Sequence, residues 1–423
     1  MKPWNNSFRR VSLSKWQTSL SIIKNREHLP MKSQTSSGTR LNTTDNFAIT
    51  ILSLAAFVIV TTEFVIIGLM PLIAGDLGIS IPVTGQLVTA FAVTVVFAGP
   101  PLTAYFARVE KRALFTWILI AFSTSNVAVA LAPGYWTILA ARLIPAALLP
   151  VFWGIGSDVA GKIVSTDKAG KAISKVYLGV TGALLFGLPL GTLLGDAAGW
   201  RGTFWFLAVL SAAMAFLLRA AMPIIPGESN VSVMTQVRML NNRYFIANLI
   251  LSLAVFTAMF GAYTYLADML QTYAGIEGAY VGWWLMGFGT VGLIGNYLAG
   301  RYVDSHPDAA GVISCVMLGT GAVASVLLTN SAVFFIFALV LWGVAHTALF
   351  PLGQIRVMKA ARGGKALAGT LNISACNSGI ALGAILGGWA IDLGGIGAAI
   401  TGASLLMFLC AAAYPHIRRL DAS

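Results

Sequence analysis

Charge is what this sequence has least of. Only 10% of its 423 residues are Asp, Glu, Lys or Arg, against 57% hydrophobic residues, where a soluble domain carries roughly a quarter charged residues. A water-soluble globular organisation is therefore excluded. Cysteine is scarcer still: Cys315, Cys376 and Cys410 each lie in an apolar run without CxxC or Cys/His spacing. That argues against a disulfide framework or a metal site and leaves three buried thiols as the expectation. Catalytic signatures are missing as well. There is no HExxH and no GxSxG, and GSDVAGKI (156–163) has the Gly and Lys of a phosphate-binding loop but puts Ile163 where Ser or Thr would hold magnesium. Hydrolytic chemistry, ATP hydrolysis included, has no foothold, and the expectation is a protein that is not an enzyme and needs no cofactor.

What the sequence does have is apolar blocks of roughly 20 residues, recurring from about residue 46 to the end, each long enough to cross a bilayer. The formal charge of +12 raises nucleic acid or acidic lipid as partners, but the bases sit in alternate connections. One set holds RVEKR (108–112), KIVSTDKAGKAISK (162–175), RMLNNR (238–243) and RVMKAARGGK (356–365); the other set has Arg201 as its only base. By the positive-inside rule this pattern is a topology signal. It predicts a multi-pass membrane protein with both termini in the cytoplasm and no nucleic-acid partner.

Residues 1–45 are basic and rich in Ser and Thr, and lack the apolar core of a signal peptide, so a disordered cytoplasmic extension is expected there. Twelve spans follow. The longest polar interval divides them six and six, giving bundles at 46–222 and 244–423 joined by a cytoplasmic linker at 223–243. The halves echo each other: Gly187, Gly191 and Gly195 in GLPLGTLLG are matched by Gly379, Gly383 and Gly387 in GIALGAILG. Glycines four apart line one helix face and admit a neighbouring backbone, the usual packing device in lipid. The predicted fold is all-α, integral to the membrane, with twelve transmembrane helices in two pseudo-symmetric bundles. Such repeats fit a transporter that rocks about a site near the midplane.

Ionisable groups inside spans are costly to bury and hence informative. Glu63, within TTEFVIIGLMP, and Arg142, within AARLIP, fall at similar depths, roughly 13 and 10 Å from the outer ends at about 1.5 Å per residue. His346, in LWGVAHTALFP, falls deeper, in the cytoplasmic half. Burial favours a neutral carboxyl and a nearby cation a charged one, so Glu63 with a mobile Arg142 is a candidate proton carrier. The alternative is a permanent structural pair. His346 is open to a proton or substrate role and to plain packing. Asp158 beside Lys162 reads as structural. Gln86, Trp153, Tyr263, Tyr265, Asn296, Asn372 and Asn377 are candidates to line a cavity and bind a polar solute, although a single Asn can equally serve helix-to-helix hydrogen bonding.

Across about residues 46–415 the chain resembles the major facilitator superfamily, and within it the drug/proton antiporter branch that includes sugar-efflux, arabinose-efflux and purine-efflux transporters. The resemblance is carried by TTEFVIIGLMPLIAGDLGIS (61–80), GQLVTAFAVTVVFAGPPL (85–102), GLPLGTLLGDAAGWRGTFWF (187–206) and LNISACNSGIALGAILGGWAID (371–392). It implies export of a small solute against inward proton movement, powered by the proton gradient, by a monomer that alternates access between two bundles. Glu63 matches the group's first-helix acid, and Arg142 the arginine opening its fourth-helix motif. Gly187, Pro189 and Gly191 match the fifth-helix antiporter signature, with Thr192 replacing its second terminal glycine. The loop motif Gly-xxx-Asp-Arg is altered to Ala104 and Arg108 in the first half, but Gly300 and Asp304 keep it in the second, implying a differently latched inner gate. Leu149 and Pro150 stand where many of these proteins have a His-Gly pair, so their cargo does not carry over. Sugars, nucleosides and amphiphilic drugs remain candidates, drug resistance a possible outcome. Uptake or facilitated diffusion by the same fold, and a non-transporting membrane sensor, stay open as rivals.

Overall fold

Inside hydrocarbon a backbone must satisfy its own polar groups, and a helix does so within one segment. The computed structural model describes residues 43–227, 239–361 and 363–421, and its regular elements are helical. The expected extension lies almost wholly outside the described residues, as does about half of the linker. In chain order the helices are α1 Thr43–Leu77, α2 Ile81–Phe106, α3 Lys111–Ala130, α4 Tyr135–Ile163, α5 Ala169–Gly182, α6 Leu188–Ala221, α7 Arg243–Tyr263, α8 Leu266–Thr272, α9 Gly278–Tyr302, α10 Pro307–Leu327, α11 Ala332–Ala360 and α12 Lys365–Arg419. A wide turn at Ala183–Gly187 joins α5 to α6. Among the described residues, nine continuous helical stretches are long and apolar enough to cross a membrane.

Two of those stretches contain a fold-back. Gly199 in α6 (φ 74°, ψ 158°) and Gly395 in α12 (φ 74°, ψ −179°) adopt a backbone open chiefly to glycine, each ending one pass and starting the next. The two breaks follow the two glycine repeats, so the echo in the sequence extends to the turn after it. Beside Gly199, Arg201 donates to Asp76 at 2.5 Å and to the carbonyl of Ala132 at 3.2 Å, and its guanidinium lies 4.2 Å from the Trp200 ring centre. The lone base of the acidic connections is thus a clasp. Ends elsewhere are capped by side chains: Glu110 accepts from Arg112 and Ala113 N–H at 2.7 and 2.9 Å, and Asn242 from Tyr244 and Phe245 N–H at 2.9 and 3.3 Å.

Each glycine repeat presses against the first helix of its own half. A side chain at Gly187, Gly191 or Gly195 would strike Thr61, Val65 or Leu69 of α1; one at Gly379, Gly383 or Gly387 would strike Leu253, Thr257 or the Gly261 and Tyr265 region after it. Pro189 sits in the first turn of α6, directly after the wide turn at Ala183–Gly187, a place where a helix deprived of one N–H commonly widens.

Hydrogen bonds between the halves gather towards the end of the molecule that carries the basic connections. Asp304, just past α9, accepts from the N–H of Gly170 and Lys171 at 2.9 and 3.0 Å and so caps α5. Gly300, one turn earlier, lets α9 approach Ser174. On the other side, where Ala104 and Arg108 replace the motif, no side chain among the described residues caps the start of α12. Arg108 is exposed, with its carbonyl packed against Gly227. Closure there uses the Thr103 and Thr370 hydroxyls, 2.8 Å apart, with Gly99 and Gly154 making room for Thr370. The two sides are thus joined by different contacts.

Candidate functional site

Glu63 is half-buried on α1, and its carboxylate makes no hydrogen bond or ion pair among the described residues. It faces a cavity of about 50 Å³ between the halves, lined also by Phe64, Trp153, Tyr177, Phe256, Phe350, Asn372, Cys376 and Asn377. Four residues singled out in the sequence, Glu63, Trp153, Asn372 and Asn377, thus meet at one place. Trp153 is held there by Tyr177, with ring centres 4.6 Å apart. Asn377 donates to the Ile373 carbonyl at 3.0 Å, a bond within its own helix.

Arg142 is buried, 2% exposed, and reaches α1 without touching the carboxylate. Its guanidinium donates to the carbonyls of Thr62 at 3.3 Å and Glu63 at 3.0 Å, and its charge rests on the Phe91 ring, 5.0 Å from the centre. The two ionic groups are therefore neighbours through the Glu63 peptide. Arg142 braces the stretch of α1 that carries the acid, and Glu63 keeps its oxygens for the cavity.

Below the cavity a buried polar chain crosses between the halves. Asn372 donates to Gln354 at 2.8 Å, and Gln354 donates to Ser157 at 3.2 Å. Gln354 and Ser157 were not singled out in the sequence, nor were Thr103 and Thr370. Their signal was a polar side chain in an apolar helix, which many helix-packing residues share.

His346 lies at the middle of α11, surrounded by the rings of Phe260, Tyr263, Phe288 and Phe350 with centres 4.6–5.8 Å away. Tyr263 ends α7 and Phe288 is in the first half of α9, so these neighbours place His346 nearer the non-basic end than the cytoplasmic half expected from counting residues. Neither ring nitrogen has a partner among the described residues, and the side chain is 1% exposed. With Tyr263 it borders a second, larger cavity of about 590 Å³.

The remaining candidates lie elsewhere. Tyr265 donates to the Ala384 carbonyl at 2.7 Å and packs on Gly387, a helix-to-helix role. Asn296 is buried on α9 with its amide unpaired, and Gln86 is exposed on α2; neither lines the two cavities. Asp158 pairs with Lys162 at 2.7 Å, four residues along α4. The three cysteines are free and buried. No cluster of His, Cys, Asp or Glu suited to a metal occurs among the described residues.

A helical membrane protein whose repeated halves enclose a carboxylate-bearing cavity, closed at one end by contacts between those halves, has the build of a solute transporter. The sequence matches the Major Facilitator Superfamily over residues 52–361 and 249–422, and the chain belongs to that family. Its relatives include the inner membrane transport protein YdhP of Escherichia coli, 31% identical over 88% of this chain and 97% of that protein. Another is a probable sugar efflux transporter of Mannheimia succiniciproducens, 29% identical over 87% of this chain and 94% of its own length. A chloramphenicol efflux pump of Mycobacterium tuberculosis is 28% identical over 80% of this chain and 84% of its own. Among solved structures, the human organic anion transporter MFSD10 superposes with a TM-score of 0.70 at 16% identity, covering 88% of this chain and 99% of that one. The fold is that of the major facilitators, and the protein is a multi-pass membrane transporter of small molecules, not an enzyme.

Proposed function

We propose that this chain is a proton-coupled antiporter that exports a small solute across a bacterial inner membrane. Twelve passes divide into bundles at 46–222 and 244–423, which work as a monomer and draw only on the proton gradient. The basic end is cytoplasmic, so the closure at Asp304 and Thr370 makes this the outward-facing state. One observation carries the reading: an unpaired carboxylate, Glu63, faces the cavity between the halves, and a fixed guanidinium contacts its own peptide. A charged Glu63 is costly to enclose and a neutral one is not, so protonation from outside favours closing the outer end and returning inward. There the proton leaves and solute binds, and loaded carriers reopen outward. Trp153, Asn372 and Asn377 contact the solute at the same cavity. At about 50 Å³ it has room for water only, which fits a state awaiting a proton rather than cargo.

The names of two relatives, a probable sugar efflux transporter and a chloramphenicol efflux pump, support an exported cargo from the sugar, nucleoside or amphiphilic-drug classes. Everted vesicles with an acid interior test this. Accumulation of a labelled pentose, nucleoside or chloramphenicol that collapses with a protonophore is the expected result. Solute flux that ignores the proton gradient would make the chain a facilitator, and binding without flux would make it a sensor.

A further inference from the structure

We infer that the larger cavity beside His346 is a binding site for a neutral aromatic amphiphile, held by a hydrogen bond to the imidazole. The inference rests on the transport reading above and narrows its cargo. At about 590 Å³ this cavity falls within the size range of small-molecule sites, which the Glu63 cavity does not.

Its walls decide the chemistry. Two of its hydroxyls are already spent inside the protein: Thr192 donates to the Leu188 carbonyl at 3.0 Å and Thr347 to the Gly292 carbonyl at 2.5 Å. What remains is Thr181, the Tyr263 hydroxyl, the Trp283 indole N–H at the rim and His346, whose two nitrogens are buried and unpaired. A pentose brings four or more hydroxyl-type groups, and each one left unpaired in an apolar site costs about 1–3 kcal/mol. A molecule with one or two such groups on a flat apolar body meets the available partners and leaves few unmet. The rings of Phe260, Tyr263, Phe288 and Phe350 fix the imidazole, and no carboxylate belongs to that set, so the anchor is a hydrogen bond and not an ion pair.

The rim is apolar as well. Ile67, Leu190, Leu193 and Trp283 line the cavity and are 43, 53, 63 and 70% exposed, so its mouth favours a flat apolar body over a sugar. Phe350 borders both His346 and the Glu63 cavity and forms part of the wall between the two.

The test uses the full chain in lipid nanodiscs, with binding of 1-naphthol, 1-methoxynaphthalene and arabinose corrected against empty discs. The expected result is saturable binding of both naphthalenes and none of arabinose. His346→Phe, which keeps the ring packing, should weaken 1-naphthol about tenfold and leave the methyl ether within about twofold. Met286→Trp, at the cavity wall, should weaken both and covers the case in which His346→Phe does not fold. Wild-type affinity for both naphthalenes in both variants, naphthalene uptake equal to that of empty discs, or competition by arabinose would overturn the inference. Loss of naphthalene binding with proton-driven solute flux intact would sink this inference alone. Naphthalene binding with no proton-driven flux would sink the transport reading alone.

Discussion

At the residue scale, the arrangement of Arg142 separates two roles that the sequence left joined. Its bonds run to the Thr62 and Glu63 carbonyls, so it acts on α1 first and on the carboxylate only through the field it sets up. Removing the buried guanidinium takes two charge-assisted bonds from carbonyls that keep their helical partners within α1, and with them its packing on Phe91. Arg142→Ala is expected to cost about 2–4 kcal/mol, read as a fall in detergent-solubilised melting temperature, while Arg142→Lys recovers part of it. An unchanged melting temperature would show that the bracing bonds carry no weight. Glu63, Trp153, Asn372 and Asn377 were legible as cavity candidates because polar groups are few in these apolar spans. Tyr265, Gln86 and Asn296 were singled out on the same ground yet line neither cavity. Helices apolar on nearly every face have no stripe that tells which side faces the centre.

At the element scale, the glycine repeats were legible because close helix packing in lipid demands small residues at a fixed spacing, whatever the rest of the helix does. The structure adds which partner each repeat meets and how yielding it is. A methyl group at Gly383 would lie 2.5 Å from the Thr257 carbonyl oxygen and 2.8 Å from the Gly261 nitrogen, both backbone. At Gly191 the nearest atom is a methyl of the Val65 side chain, with no backbone atom as close. Gly383→Ala should therefore destabilise by about 1–3 kcal/mol and Gly191→Ala by clearly less, a ranking that thermal unfolding of the two variants checks. The fold-backs at Gly199 and Gly395 fall in GDAAGWR (195–201) and IDLGG (391–395), connections between spans that their Asp and Gly content made legible, whereas the positive φ that makes each turn was not.

At the scale of the whole molecule, closure at the basic end rests on unlike devices on its two sides. Asp304 caps α5 with two charge-assisted bonds, whereas Thr103, Thr370 and the glycines beside them close the other side by fit and one hydroxyl pair. The loss of the motif at Ala104 and Arg108 was legible, but its replacement was not, since a threonine in a helix is unremarked until its partner 267 residues away is known. Asp304→Asn should raise the population open at the basic end roughly five- to tenfold, and Thr370→Val by less. Spin-label distances between the connections after α2 and after α11 would report both; equal distributions in wild type and Asp304→Asn would remove the cap from the gate.

The central claim is that Glu63 carries the coupled proton, and solute-triggered proton release in proteoliposomes tests it most directly. With a solute that the wild type transports, proton release is expected in the wild type and absent in Glu63→Gln at equal abundance, with solute binding still measurable. Equal release from both proteins would contradict the account and leave Glu63 as a structural group in a carrier coupled elsewhere.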